Sequence, residues 1–160
     1  MNASTIEFRL NGQPILLEVD THETLLHALR YRASAVEVKS GCDRGDCGAC
    51  AVLIDGRGVN SCLTLAVQVQ GREVTTVRGL GSPRDPHPLQ TAFLETGAAQ
   101  CGFCIPGVLI TLDSYLSHNA EPTRAEIREA LGGNLCRCTG YQKILDAAQA
   151  AAPYIRGRRR

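Results

Sequence analysis

The chain has 160 residues, of which 44% are hydrophobic and 21% charged, and its formal net charge at pH 7 is +1. This length is sufficient for one buried core or two small ones, and the near-zero charge gives no bias towards nucleic acid or anionic lipid. No run of about 18 apolar residues predicts a membrane span, and residues 1–5 show no secretory or twin-arginine leader. We therefore expect a cytoplasmic protein with neither nucleic acid nor membrane as a partner.

The first elements predicted are a β-hairpin and a short helix. Residues 6–10 and 15–19 have the character of strands, and Asn11-Gly12 between them is a favoured two-residue hairpin turn. Asp20 followed by Glu23 predicts a helix N-cap. Three leucines then share one helix face: Leu25, Leu26 and Leu29.

A glycine-rich loop and further strands follow. Residues 40–50 show neither a helical nor a strand period and predict a binding loop. Residues 51–54 predict a strand, Asp55-Gly56 a turn, and residues 74–77 one more strand. Residues 1–80 therefore predict a small α+β domain, and the three prolines within 81–88 predict a linker.

After this linker the apolar period becomes helical, and residues 89–155 predict a bundle of four helices. The first is expected over 89–96 and the second from Pro106, which suits the first turn of a helix. Capping boxes open the third and fourth helices, at Thr123 with Glu126 and at Thr139 with Gln142. The arginine-rich end, 156–160, predicts a solvated basic tail without an assigned function.

The eight cysteines fall into two groups of four. The first group has the C-x4-C-x2-C…C spacing of plant-type 2Fe-2S ferredoxins and comprises Cys42, Cys47, Cys50 and Cys62. The second pairs C-x2-C with C-x-C, so a fold must bring its halves together; it comprises Cys101, Cys104, Cys136 and Cys138. Thiolate sulfur is the ligand of iron-sulfur clusters, so two such quartets predict two metal centres.

The residues beside the cysteines suit an anionic cluster. Without a Cβ atom, glycine lets backbone N–H groups approach the cluster sulfurs. Cys104 also precedes a predicted helix start, as does Cys138, which places both thiolates near positive helix ends. Glycines lie close to both groups: Gly41, Gly45 and Gly48 in the first, and Gly102, Gly132, Gly133 and Gly140 in the second.

Three other interpretations of the cysteines are less consistent with the sequence. Four disulfides would require an oxidising compartment, for which there is no signal. Two structural zinc sites would also use four cysteines each, but zinc ribbons have C-x2-C on both sides. A Rieske centre needs paired histidines, whereas the four histidines are remote from the cysteines and predict surface or capping positions: His22, His27, His87 and His118.

Three motifs resemble, in this order, those of the small iron-sulfur subunit of molybdenum hydroxylases, the family of xanthine dehydrogenase and aldehyde oxidoreductase. They are GCDRGDCGAC at 41–50, QCGFCIPG at 100–107 and GNLCRCTGY at 133–141, and the resemblance covers nearly the whole chain. The family usually has threonine at the positions of Ala51 and Ile105, and a glycine within 34–39. Hydrogen bonding near the clusters, and hence their potentials, would differ accordingly.

The resemblance implies a plant-ferredoxin-like β-grasp domain followed by a four-helix bundle, each with one 2Fe-2S cluster. It also implies a large subunit that binds molybdopterin, a medium subunit that binds FAD, and a dimer of heterotrimers. Gln100 and Cys138 would contact the pterin. Electrons would pass from molybdenum through the second cluster to the first cluster and then to FAD.

The sequence offers no nucleophile–base pair, phosphate loop or carboxylate dyad of its own. We therefore predict an electron relay that forms part of a molybdenum-containing oxidoreductase and has no catalytic residue. Two alternatives remain open: a free-standing ferredoxin-type carrier and a zinc-binding structural module. The substrate of the complex is not encoded in this chain.

Overall fold

The structure is a computed structural model that describes residues 3–119 and 121–155. A mixed β-sheet is followed by a series of helices, which confirms the predicted α+β class. The basic tail predicted at 156–160 lies outside the described residues. Within the described part of the chain, no helix is long and apolar enough to cross a membrane.

Five strands form one sheet in the order β2-β1-β5-β3-β4. β1 and β2 are antiparallel, and the turn between them has positive φ at Asn11 and Gly12, as the favoured hairpin turn requires. β5 lies in the middle, parallel to β1 and antiparallel to β3. The strands are β1 (Ala3–Leu10), β2 (Gln13–Asp20), β3 (Ala51–Ile54), β4 (Arg57–Asn60) and β5 (Glu73–Thr75).

Three details of the first half differ from the prediction. β4 was not predicted, and the strand expected over 74–77 is β5, after which the chain turns into a short helix. The cap of α1 is Thr24, whose side chain accepts from the N–H of His27 at 3.2 Å, rather than Asp20. Asp20 is the last residue of β2 and is held extended by pairing with Ala3.

The second half contains the four predicted helices. Among the residues that the structure describes, the α-helices are α1 (Leu25–His27), which continues as a π-helical turn over Ala28–Arg32, α2 (Val77–Leu80), α3 (Pro88–Thr96), α4 (Ile105–Leu116), α5 (Arg124–Ala130) and α6 (Tyr141–Ile155). The capping box of Thr123 and Glu126 is confirmed. Thr139 is not a cap, because its φ is +59° and α6 begins two residues later.

Two hydrophobic cores meet at β3. All four of its residues are buried, and they alternate: Val52 and Ile54 pack in the core of the sheet, while Ala51 and Leu53 pack in the helical core. Period-2 alternation places these pairs on opposite faces of the strand. Leu80 of α2 also packs with the helices. The sheet and the helices are therefore joined through a strand that has no solvent-facing side. The domain limits at 80 and 88 stay predictions.

Candidate iron-sulfur sites

The first cysteine loop directs backbone donors at a sulfur atom. The N–H groups of Asp46 and Cys47 lie 3.3 Å and 3.4 Å from the Sγ atom of Cys42. Together with the N–H of Arg44, they hold the pKa of the Cys42 thiol at about 7, below its ordinary value of 9.0. This loop therefore favours a thiolate, which is the form that binds iron.

The other pair of the first quartet is buried beside the sheet. Cys50 ends the loop, and Cys62 lies in the turn that follows β4. Their side chains are in contact, and burial raises the pKa of Cys62 to about 12. A thiol in such surroundings loses its proton when a metal replaces it, so metal binding here would release protons.

Close packing explains one glycine of this loop. A Cβ atom on Gly41 would lie 2.8 Å from the Sγ atom of Cys47 and 3.6 Å from the ring of Phe103. Any larger residue at position 41 would therefore displace a ligand sulfur. Phe103 belongs to the second cysteine motif, so this loop is already in contact with the helical half.

Helix ends position the second quartet. Cys104 is the N-cap of α4 and is buried, which raises the pKa of its thiol to about 12. Burial also acts on Cys136, but the backbone N–H groups of Gly140, Cys138 and Thr139 outweigh it and lower the pKa of this thiol. These donors come from the segment that leads into α6, so a helix start holds this sulfur too.

The structure brings each predicted quartet together as two pairs of sulfurs. Contacts join the thiols of Cys42 and Cys47, Cys50 and Cys62, Cys104 and Cys136, and Cys101 and Cys138. All eight cysteines are free of disulfides. Four sulfurs in two pairs are the donor set of a 2Fe-2S cluster, in which each iron takes two thiolates, so these residues fit the cofactor.

A single metal ion fits less well. Among the described residues, no three His, Cys, Asp or Glu side chains are arranged to hold one ion, whereas tetrahedral zinc draws four sulfurs to about 2.3 Å from one point. The histidines have other roles: His87 is buried, caps α3 and lies 3.2 Å from Asp113, and His27 lies 2.6 Å from Glu23. Paired sulfurs therefore favour the binuclear cluster over zinc.

The two cysteine loops are in direct contact. The N–H of Leu135 donates to the carbonyl of Cys47 at 3.0 Å, and the side-chain amide of Asn134 donates to the carbonyl of Gly48 at 3.3 Å. A Cβ atom on Gly48 would collide with Gly133, and one on Gly107 would collide with Gly48. Each quartet is thus held against the other by close backbone packing, one backbone hydrogen bond and the side-chain amide of Asn134.

The two residues predicted to contact a pterin are neighbours at the second site, where Gln100 is exposed and Cys138 is half-buried. Gln100 is exposed, and its amide nitrogen would lie 3.2 Å from a Cβ atom on Gly140. Gly140 follows Cys138 by two residues, so the segment around Cys138 and the side chain of Gln100 are neighbours. The pterin contact of both residues stays a prediction.

Sequence reasoning did not identify Tyr141 or Leu135 as part of the site. The hydroxyl of Tyr141 bonds to the backbone of Asn134 and Cys136, and Leu135 links the two loops. Leu135 acts through its backbone, which no residue pattern reveals. Both residues lie within the motif at 133–141, but the motif does not indicate that the hydroxyl of Tyr141 bonds to the backbone.

Comparison with known proteins also identifies two cluster-binding parts. Residues 8–76 match the family described as 2Fe-2S iron-sulfur cluster binding domain, and residues 76–149 match the [2Fe-2S] binding domain. The first of these families has a ferredoxin-like fold, in agreement with the sheet described above.

Relatives cover almost the whole chain. The iron-sulfur-binding subunit PaoA of the aldehyde oxidoreductase of Escherichia coli O157:H7 is 45% identical over 94% of this chain and 72% of its own length. The small subunit of nicotine 6-hydroxylase from Paenarthrobacter nicotinovorans is 48% identical over 94% and 90% of the two chains. A chain in the crystal structure of quinoline 2-oxidoreductase from Pseudomonas putida 86 superimposes with a TM-score of 0.91, at 43% identity and 96% coverage of both chains.

The paired thiols, the two matched domains and the full-length relatives agree with one another. The chain belongs to the iron-sulfur subunits of the molybdenum hydroxylases, which carry two 2Fe-2S clusters and transfer electrons within an oxidoreductase that has larger subunits.

Proposed function

We propose that this chain relays electrons between a molybdopterin centre in a large subunit and FAD in a medium subunit, through the second cluster and then the first. The observation that carries the proposal is the hydrogen bond from Leu135 N–H to Cys47 O, 3.0 Å long. It joins the residue next to one ligand, Cys136, to a ligand of the other quartet. The ligand loops thus form a continuous connection within the chain.

Exposed side chains at the two cysteine sites support the assignment of a partner subunit to each end of this relay. On the second site, Cys101 is exposed, and so are the apolar side chains of Phe103 and Leu135, at 47% and 56%. Large apolar side chains at a surface favour burial by a partner. We assign this side, which includes Gln100, to the large subunit and its pterin.

The first site offers a different surface. Its loop exposes the charged residues Asp43, Arg44 and Asp46 and, beyond Cys62, the apolar Leu63, which is 66% exposed. A mixture of an apolar anchor with charges is typical of the rim and core of a protein interface. We assign this side to the flavin subunit.

The finer features of the assembly belong to the same proposal. We take the first half as a β-grasp domain and the second as a four-helix bundle, and the whole enzyme as a dimer of heterotrimers. We place it in the cytoplasm, where thiols stay reduced until the clusters are inserted.

The clusters, when bound, supply one-electron transfer, and the residues of this chain hold and tune them. Backbone N–H groups donate to the sulfur of Cys42, and others approach that of Cys136. Such bonds stabilise the anionic cluster and are one means of setting its potential. Potentials of iron-sulfur proteins span about −700 to +450 mV, so these donors have a wide range to act on.

The test uses the complex purified under anaerobic conditions. Two clusters with two irons each predict four irons per chain, together with acid-labile sulfide and two EPR signals after reduction. The Cys104→Ala complex lacks a ligand of the second cluster. In this variant an aldehyde or N-heterocyclic substrate, of the kinds that the relatives are named for, should no longer reduce the first cluster. Dithionite should still reduce it. Normal reduction of the first cluster by substrate in that variant would contradict the order of the relay.

Purification also separates the relay from a free carrier. We expect the chain to remain bound to larger molybdenum-containing and flavin-containing chains through gel filtration. Recovery of the chain alone, with both clusters intact, would favour a free-standing ferredoxin-type carrier instead.

A further inference from the structure

The hydroxyl of Tyr141 makes two hydrogen bonds at the start of α6. It accepts from the N–H of Cys136 at 2.8 Å and donates to the carbonyl of Asn134, also at 2.8 Å. A phenol has one proton to donate and lone pairs to accept, so both bonds form at once. The hydroxyl of Tyr141 therefore bonds to both ends of residues 134–136, the segment that we call the strap.

The strap contacts both quartets. Cys136 is itself a ligand of the second site. Leu135 donates its N–H to Cys47, a ligand of the first site, and Asn134 donates its side-chain amide to Gly48. Two neighbouring residues of the strap thus donate hydrogen bonds to the first loop, and one side chain from outside the strap bonds to both of its ends.

α6 is a firm support for this side chain. Ile144, Leu145 and Ala148, on the next turns of the helix, are buried in the helical core. The N–H of Ile144 donates to the carbonyl of Gly140 at 3.2 Å, which closes the first turn. The backbone at Tyr141 is therefore anchored to the core of the helical half.

We propose that Tyr141 is a positioning residue that fixes the strap and thereby sets the register between the two clusters. This inference rests on the electron relay proposed above. Without the hydroxyl, the N–H of Cys136 and the carbonyl of Asn134 lose their partner, and the strap keeps only its contacts with the first site and its backbone bonds to Leu131 and Thr139. A shift of the strap changes the surroundings of ligands in both quartets, which alters the properties of both clusters.

The test compares Tyr141→Phe with Tyr115→Phe in the assembled enzyme. Tyr115 is a matched control, because its hydroxyl accepts one hydrogen bond, from Asn119 at 2.7 Å, in the same helical half. In Tyr141→Phe we expect four irons per chain and amide hydrogen exchange at Leu135 and Cys136 about tenfold faster. The EPR signals of both clusters should change, and those of Tyr115→Phe should match the unmodified enzyme.

Two results would overturn the inference. One is unchanged exchange in the strap, and the other is a spectral change confined to the second cluster, which would show that Tyr141 acts on its own site alone. If Tyr141→Phe does not fold, Asn134→Ala tests the strap from its other side. It should speed exchange at Leu135 and alter the signal of the first cluster, and no change in either would overturn the inference as well.

The unmodified enzyme distinguishes a failure of the electron relay from a failure of the role of Tyr141. Absence of two clusters there would refute the electron relay itself. If the unmodified enzyme has two clusters, and their EPR signals do not change in Tyr141→Phe or Asn134→Ala, only the role of Tyr141 would be refuted.

Discussion

The two cysteine quartets hold their sulfurs by different means. In the first, three ligands lie in one loop, and the backbone of that loop donates to the sulfur of Cys42. In the second, Cys104 lies at the N-cap position of α4 and Cys136 lies among the N–H groups that lead into α6. One site is thus organised by a short stretch of chain, and the other by helices that the core holds in place.

This difference indicates how each site depends on the rest of the molecule. The first cysteine loop supplies its own hydrogen-bond donors, so it depends on the sheet mainly for support at its two ends. A site at the ends of helices needs those helices to be packed first, so we expect it to be more sensitive to changes in the core.

The largest effect is expected from removing one ligand of each quartet. Cys62→Ala and Cys104→Ala should each lose half of the bound iron and a different one of the two EPR signals, because the other quartet is intact. Iron and acid-labile sulfide per chain measure this in the purified complex. Loss of all iron in either variant would show that the two sites do not form separately.

A smaller but substantial effect is expected where the two loops meet. Alanine is normally preferred to glycine inside a helix by about 1 kcal/mol, yet a Cβ atom on Gly107 of α4 would collide with the carbonyl of Gly48. Gly107→Ala should therefore lower the free energy of unfolding by about 3 kcal/mol, because the loops must move apart. Denaturant unfolding measures the loss.

Gly133→Ala is the control for this collision. A Cβ atom there would have no heavy atom within 4 Å, so the free energy of unfolding should change by about 0.5 kcal/mol or less. Equal stability of the two variants would contradict the close contact of the loops.

The next effect concerns the sheet half alone. The buried carboxylate of Glu23 accepts from Arg32 at 2.8 Å, His27 at 2.6 Å and the N–H of Asp20 at 3.1 Å. Burial favours its neutral form, but these bonds outweigh burial and hold the pKa of Glu23 at about 2. A folded-state pKa below the ordinary 4.5 adds stability that is present above pH 4.5 and is lost as the pH falls towards 2.

Glu23→Gln should therefore lower the free energy of unfolding by about 2 kcal/mol at pH 7. The gap in the free energy of unfolding between this variant and the unmodified protein should stay constant down to about pH 4.5 and shrink below that pH. Urea unfolding at a series of pH values measures this gap, and acid loss of iron affects both proteins alike. The exposed Glu7→Gln is the control, and a gap that is independent of pH down to about pH 2 would contradict the role of the charge.

The smallest expected effect is the difference in stability between substitutions of two threonines near helix starts in the helical half. Thr123→Ala should lower the free energy of unfolding by about 1 kcal/mol, because Thr123 and Glu126 form the capping box of α5. Thr139→Ala should cost less than about 0.5 kcal/mol, because Thr139 lies outside α6 with positive φ and is not a cap. Thermal unfolding of the two variants side by side measures the contrast, and equal losses would contradict it.

The same contrast between the sites explains what the sequence predicts. The spacing of Cys42, Cys47 and Cys50 identifies the first site because the ligands share one loop. The second quartet is predictable as a set of cysteines, but its pairing, Cys104 with Cys136 and Cys101 with Cys138, depends on how α4 and α6 pack.

Errors in the predicted elements have a common physical cause. Thr24 and not Asp20 caps α1, because the hairpin ladder continues to Asp20 and holds it extended. β4 contains Gly58 and has no apolar alternation of its own, so only its pairing with β3 reveals it as a strand. In both cases partners distant along the chain decide the local structure, as they do for the backbone contact of Leu135.

The strand with two buried faces limits how this chain can be recombined. Ala51 and Leu53 pack with the helices while Val52 and Ile54 pack with the sheet, so neither half has a complete interior without the other. A chimera that takes its first half from this chain and its second half from a relative must match side chains across β3 as well as the join in the linker. A substitution on one face of β3 is therefore expected to call for a compensating substitution in the element that packs against it.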